Sequence, residues 1–322
     1  MDQASRTRSI HLVERATRAA SSHNTQPWRF RIERTRITIL PDPRRRCPAV
    51  DPDDHHLFAS LGCAAENLVI AAQATGQDAQ VGVDATSGHV VVELAPAPPV
   101  VSPLYEAIDL RQCSRSRYDG SSLTSAERGL LEAAGHGNGV GVRLLDGPVV
   151  LAQVAEYVAA GNDAQFADPA WRDELQAWIR FNHRSARATG DGLYAAAMGS
   201  PQVPDRIGRL YMRADFSARR QSRRDTRHIL SSSAVAVFAS EIDDPLHWVE
   251  AGRCYERFAL QAAALDLRTA FINQPVEVAA LRAQFAGFLG IGERRPDLVV
   301  RVGRGPRMPS SFRRPVEDVI ME

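Results

Sequence analysis

The 322-residue chain contains no lysine: all 39 of its basic residues are arginine. That absence excludes a Schiff-base lysine, and with it the usual pyridoxal-phosphate enzymes and lysine-dependent aldolases. It also excludes the phosphate-binding lysine of a P-loop. Cysteine is scarce. Cys47, Cys63, Cys113 and Cys254 are far apart and form no C-x-x-C pair, so reduced thiols are expected, with neither a structural zinc site nor a disulfide framework. No apolar run reaches the roughly 20 residues that span a bilayer. The longest, "SSSAVAVFAS" and "NLVIAAQA", stop well short. The first twenty residues scatter charges where a secretory leader carries an apolar stretch, so a cytoplasmic protein with no membrane span is expected. With 38 acidic residues against the arginines, the net charge of +1 gives no general attraction to nucleic acid or membrane.

What is present is an ordinary globular composition, 44% hydrophobic, long enough to bury a substantial core in one large domain or two modest ones. Residues 7–20 read as a short helix, and "RFRIERTRITILP" alternates as two strands around a polar turn at 33–35. The stretch "DPDDHHLFASLGCAAENLVIAAQATG" predicts a long helix, capped by Asp and Pro and closed by Gly76. Two strands follow, "AQVGVDA" and "HVVVEL". "APAPPVVSP", residues 95–103, is the linker. The second part repeats the pattern: helices at "LYEAIDLRQ" and "TSAERGLLEAA", a strand at "GVRLLDG", a buried strand "SAVAVFAS", a long helix "DPLHWVEAGRCYERFALQAAALD" and a buried strand "PDLVVRVG". Between them, from about 148 to 232, lies an Arg-rich, mostly helical insertion with no counterpart in the first part. The Pro-rich tail "RGPRMPSSFRRPVEDVI" reads as extended.

The two long helices carry one repeat. Gly62, Glu66, Leu68, Ile70, Ala72 and Ala74 recur at identical spacing as Gly252, Glu256, Phe258, Leu260, Ala262 and Ala264. "AASSHN" at 19–24 has a fainter echo in "AAGHGN" at 133–138. The chain therefore reads as two diverged copies of one unit, residues 1–100 and 101–322.

The stretch "AASSHNTQPW" resembles the APSxxNxQPW motif of the nitroreductase-like flavoproteins, and "IDLRQCSRSRY" resembles their RRSxR motif. The tail "VRVGRGPRMPSSFRRPVEDVI" is similar to their C-terminal glycine turn and Arg-Pro ending. The fused two-copy form, the histidine of "SHNTQPW" and the "DPDDHHLFASLGCAAENL" helix look most like the mycobacterial Acg branch. The resemblance implies an α+β nitroreductase-like fold, two tandem units forming a pseudo-dimer in one chain. It also implies FMN, with NAD(P)H as donor. The RRSxR-like motif survives only in the second half and the intact "SSHNTQPW" only in the first, so one FMN site built across the two halves is implied. By family position, Arg111 and Arg115, with Arg313 or Arg314, would clamp the flavin phosphate by charge-assisted hydrogen bonds. Ser21, Ser22, Asn24 and Gln26 would meet the ring, and Ile272, Asn273 and Gln274 its reactive edge. Cys113 stands where the family has serine and is a weaker donor, for which Ser114 or Arg117 would compensate.

Two functions compete. The first is an FMN-dependent oxidoreductase passing a hydride from NAD(P)H to a nitroaromatic, quinone or similar acceptor. The flavin carries that chemistry, so no catalytic side chain of its own is assigned. The second is a flavin-sequestering protein whose site the insertion closes as a lid. Asp53, Asp54, His55 and His56 are not assigned to a metal, since adjacent side chains on a helix diverge by about 100°. The basic run at 213–228, with Asp215 and Asp225 inside it, reads as a solvated helix face and not as a nucleic-acid site. A monomer is expected, because the fusion already supplies the usual dimer interface.

Overall fold

The computed structural model describes residues 2–84, 86–214 and 216–321, so Asp215 of the basic run lies outside the described residues. The first hundred residues fold as α1 (Gln3–Ala16), β1 (Trp28–Ile32), β2 (Arg36–Pro41), α2 (His55–Ala74), β3 (Gln77–Val83) and β4 (Val90–Pro96). Helix α1 starts and ends four residues earlier than its periodicity suggests, because Asp2 caps it by accepting the Ser5 N–H at 2.8 Å. Helix α2 also opens differently. Asp54 is left-handed (φ 61°) and makes no cap, whereas Asp51 reaches over to accept the His56 and Leu57 N–H groups at 3.0 and 2.9 Å.

After the linker come α3 (Pro103–Leu110), α4 (Ser125–Ala134), β5 (Val140–Leu145) and α5 (Pro148–Ala167). The insertion continues as α6 (Pro169–Trp178), β6 (Ile179–Arg180), α7 (His183–Thr189), β7 (Leu193–Tyr194), α8 (Asp205–Ala214) and α9 (Ala218–Leu230). Its first helix is no appendage: Leu151, Val154 and Val158 of α5 pack in one cluster with Val235, Val237 and Val299. The chain ends with β8 (Ala234–Ser240), α10 (Pro245–Ala264), β9 (Arg268–Phe271), α11 (Gln274–Glu277), α12 (Ala279–Leu289), β10 (Arg295–Gly303) and β11 (Ile320–Met321). The sequence pattern leaves 268–289 unassigned; those elements are short and mixed in character.

Two larger sheets result, in an α+β architecture. The first has the order β11-β1-β2-β4-β3 and the second β5-β8-β10-β9. Apart from β11, which joins β1 in parallel, all neighbours are antiparallel. Numbered within its own sheet and with β11 set aside, each has its four strands in the order 1-2-4-3, β6 and β7 pairing separately. In each sheet a long helix, α2 or α10, joins the second strand to the third. The two helices cross at their repeated glycines. A Cβ on Gly62 would lie 1.9 Å from the Val249 carbonyl oxygen, and one on Gly252 would lie 1.9 Å from that of Ala59. Each clash is with the residue three before the opposing glycine, so the contact is symmetrical.

The main core runs through both sheets, taking Trp28, Phe30 and Ile37 from the first and Phe238, Tyr255 and Phe258 from the second half. Helix α2 is long and apolar enough to cross a membrane, yet nearly all of its residues are buried inside the protein.

Candidate cofactor-binding site

The turn after α1 is strained in a way its sequence conceals. His23, Asn24 and Gln26 all have positive φ (48°, 54° and 53°), a conformation that costs non-glycine residues on the order of 1–3 kcal/mol each. Hydrogen bonds hold it. Ser21 Oγ accepts the Gln26 N–H at 3.0 Å, and Asn24 Nδ2 donates to the carbonyls of Gly192 and Phe312, each at 3.1 Å. Gln26 is wholly buried, donating to the Gly190 carbonyl at 2.8 Å and accepting the Arg314 N–H at 2.9 Å.

This turn forms one wall of a cavity of about 730 Å³, within the usual range for small-molecule sites. Ser21, Ser22, His23 and Asn24 line it from the first half. Arg111, Cys113 and Arg115 line it from the second, where the Ser114 N–H pairs with the Thr269 carbonyl at 2.8 Å and docks the segment on β9. Asn273 and Gln274 complete that side, with Arg313 from the tail. Asn273 is fixed by accepting the Val299 N–H at 2.8 Å, while Gln274 Oε1 is buried without a partner.

Ten of the twelve residues singled out from the sequence, Ile272 among them, thus meet at one cavity. Gln26 and Arg314 do not. They are spent on each other and on the turn, Arg314 also donating to the carbonyls of Gln26 and Asp318 at 3.2 and 3.1 Å. Ser114 and Arg117, expected to compensate for Cys113, are absent from the cavity wall as well.

The cationic residues there differ in kind. Arg111 is buried, its Nε 2.9 Å from Glu256 Oε1, and it donates to the Arg18 carbonyl at 2.9 Å. Arg313 donates to Asn24 Oδ1 at 3.0 Å and to carbonyls of Thr17, Arg18 and Ala19 at the end of α1. Burial, with Arg111 beside it, lowers its pKa to about 9, so it stays charged near neutral pH. Arg115 has no hydrogen bond or ion pair to any described residue.

Sequence reading missed several wall residues. Arg301, buried in strand β10, donates to the carbonyls of Ser114 and Ser116 at 2.9 and 2.8 Å and lies 4.1 Å from the centre of the Tyr118 ring, bracing the loop that carries Arg115. An arginine flanked by valines in the run "LVVRVG" was the available signal. The basic run on α9 is only partly a solvated face, since Arg220 and Arg224 also line the cavity. His23 and His228 are both lowered to about 4, chiefly by burial and then by nearby arginines, so they are neutral. Of the three acidic groups on the wall, Asp225 and Glu277 are pushed up by burial and Asp109 is paired with Arg15 at 2.8 Å, while seven arginines line the same cavity. The site is therefore electropositive.

The insertion forms the roof, and it is tied to the first half. Asp191 takes Arg45 and Arg180 at 2.7 Å each, and both guanidiniums lie against the Trp178 ring. Glu174 accepts the N–H groups of Ala49 and Val50 at 2.9 and 3.1 Å.

At the head of α2 the expected divergence of His55 and His56 fails: their Nδ1 atoms approach to 3.3 Å. With Asp51 they place three ligand-type atoms within 4.8 Å of one another. Asp51 is occupied by the helix cap, however, and His55 Nε2 faces Asp297 Oδ1 at 2.9 Å, so the cluster is a hydrogen-bonded network.

No family model matches the chain. It is 28% identical to the Mycobacterium tuberculosis protein named "Putative NAD(P)H nitroreductase Rv3131", over 95% of this chain and 88% of that one. A second protein of that species, with the same form of name and called acg, is 24% identical over 95% of this chain and 93% of its own length. Among solved structures, a nitroreductase with bound FMN from Desulfitobacterium hafniense aligns with a TM-score of 0.42 and 11% identity, over 69% of this chain and 99% of its own.

Proposed function

We propose, for a chain related along nearly its whole length to these mycobacterial nitroreductase-like proteins, that it is an FMN-dependent NAD(P)H oxidoreductase with one flavin site. The observation that carries the reading is the meeting of the 21–24 turn, the Arg111–Arg115 segment, Asn273 and Gln274, and the tail's Arg313 at one electropositive cavity. The donor set fits a flavin mononucleotide. The partnerless Arg115 is suited to a phosphate, and the orphaned, buried Gln274 Oε1 to a ring N–H. Bound there, the flavin would supply two-electron hydride chemistry. The protein would hold the phosphate with Arg115, backed by the charges of Arg111 and Arg313. It would orient the ring with Ser21, Ser22 and Asn24, and keep water out with the apolar roof, Phe166, Trp171 and Phe181 among it. A nitroaromatic or quinone is the acceptor class.

The two halves act as an internal pseudo-dimer, supported by the matching strand order and the symmetrical glycine crossing, and the protein works as a monomer. Sedimentation velocity tests this: a dimer at micromolar concentration argues against it.

The tethered roof favours a second reading, flavin sequestration without turnover. One experiment separates the two. After reconstitution with FMN and desalting, an anaerobic visible spectrum is followed on adding NADH, then NADPH. A retained band that bleaches supports the oxidoreductase, a retained band that does not bleach supports sequestration, and no band removes the flavin.

A further inference from the structure

We propose that His56 is the proton donor of this cavity, held in place and in its acid form by Asp51, and that its Nε2–H protonates the oxygen of a quinone or nitroaromatic as that acceptor is reduced. The inference rests on the flavin reading above.

His56 is buried at the start of α2 with its side chain in the cavity wall. Its Nδ1 lies 3.4 Å from Asp51 Oδ1 and 3.3 Å from His55 Nδ1, and the same Asp51 oxygen accepts the His56 backbone N–H at 3.0 Å. The ring is thus fixed from one side. Its Nε2 is buried without a hydrogen-bond partner among the described residues, a costly arrangement unless a ligand completes it. His56 also faces Glu277 of α11, one turn from Gln274 with its own orphaned oxygen. Two unsatisfied polar atoms therefore lie in the same part of the cavity wall.

One arrangement of the protons satisfies the whole network. When His55 Nε2–H donates to Asp297, its Nδ1 is left as an acceptor. The contact between the two Nδ1 atoms then requires the proton on His56, shared with the Asp51 carboxylate. A second proton on His56 can reside only on Nε2. The groups facing His56 are Asp51 in the loop before α2, His55 on its own helix, Glu277 on α11, Arg295 on β10 and His23 in the turn after α1. Burial and Arg295 oppose its charge, while Asp51 and then Glu277 favour it and prevail, raising its pKa above the ordinary value. His23 and His55 are lowered by burial and add no charge near neutral pH.

The step balances. A quinone would take a hydride from bound, reduced FMN and a proton from His56; the Nε2–H bond breaks as the hydroquinone O–H forms. Bound FMN would supply the two electrons and be oxidised in giving them, the quinone would be reduced, and the imidazolium would become neutral until solvent restores its proton. Asp51 is a positioning residue.

The test uses the full chain with ¹⁵N-labelled histidine, flavin-free and FMN-loaded. In flavin-free protein, His56 is expected to keep an imidazolium signal above pH 6.5, to lose it in Asp51→Asn, and to shift its Nε2 resonance on adding duroquinone or nitrobenzene. In loaded protein, His56→Gln should slow flavin reoxidation by duroquinone roughly a hundred-fold more than flavin reduction by NAD(P)H. An imidazole already neutral at pH 6, an Nε2 signal indifferent to both probes, or equal slowing of the two half-reactions would overturn the proposal. Failure to bind FMN would sink the cofactor reading alone, because the flavin-free titrations still decide the state and contacts of His56. Asp51 also caps α2, so if Asp51→Asn does not fold, the wild-type probe titration carries the decision.

Discussion

Arg111 and Arg115 belong to one five-residue motif but are in opposite energetic positions. Arg111 neutralises Glu256, which is completely buried, so Arg111→Ala leaves an unpaired carboxylate in the core and should cost about 3–5 kcal/mol. Arg115 makes no hydrogen bond or ion pair to any described residue. Arg115→Ala should leave urea unfolding within about 0.5 kcal/mol of wild type. It should still weaken FMN binding by at least about ten-fold, as loss of a charge-assisted hydrogen bond does. Urea melts and calorimetric FMN titration of both variants check the pair; an Arg111→Ala protein of native stability would refute the ion-pair account. Asp297 permits a pH prediction. Burial raises its pKa to about 7, against the hydrogen bond from Ser240 and the charge of Arg295. The folded protein therefore keeps a proton that the unfolded chain loses near 3.8, and this group's contribution to stability falls as pH rises from about 4 to 7. In Asp297→Asn, whose amide oxygen still accepts from His55, that slope should vanish. The variant should gain about 2–4 kcal/mol on wild type across the window, read from urea melts at each pH.

At the scale of elements, the crossing of α2 and α10 is the most constrained contact. The atoms a new Cβ would meet are backbone carbonyls, which cannot rotate away, so the helices themselves would have to separate. Gly62→Ala and Gly252→Ala should each cost about 3 kcal/mol or more, while Gly129→Ala, on α4 with open space around it, should be neutral or mildly stabilising. Thermal unfolding of the three variants separates these expectations. The repeat of glycine and glutamate was legible in the sequence because both copies need the same close approach. The partners of the glutamates were not: Glu256 binds Arg111, whereas Glu66 binds Arg253 and Arg257, and nothing in the spacing distinguishes them.

For the whole molecule, the roof decides what reaches the cavity. Asp191 is its most concentrated tie to the first half, joining Arg45 to Arg180 over Trp178. Asp191→Ala should leave two arginines facing each other and loosen that edge. The expected result is faster FMN release in stopped-flow fluorescence and, if the roof limits access, faster bleaching by NAD(P)H. Unchanged release would mean that the roof is held elsewhere, with Glu174 and its two backbone N–H groups the next candidate.

By itself the sequence determined the long helices, the strand pairs, the twofold repeat and a set of motif residues most of which lie on the cavity wall, because periodicity, caps and local motifs are properties of neighbours in the chain. Tertiary structure alone decided the rest. It turned Gln26 and Arg314 inward to hold each other, although their motifs pointed to a ligand. It carried β11 back to pair with β1, a match of two residues too short to carry any pattern. It made the insertion a roof, and it brought His55 and His56 together at the first turn of α2, where Asp51 and Asp297 draw their rings out of the divergence that helical geometry imposes. Each of these rests on partners far apart in sequence, and the energy of a buried polar group depends on which partner the fold delivers to it.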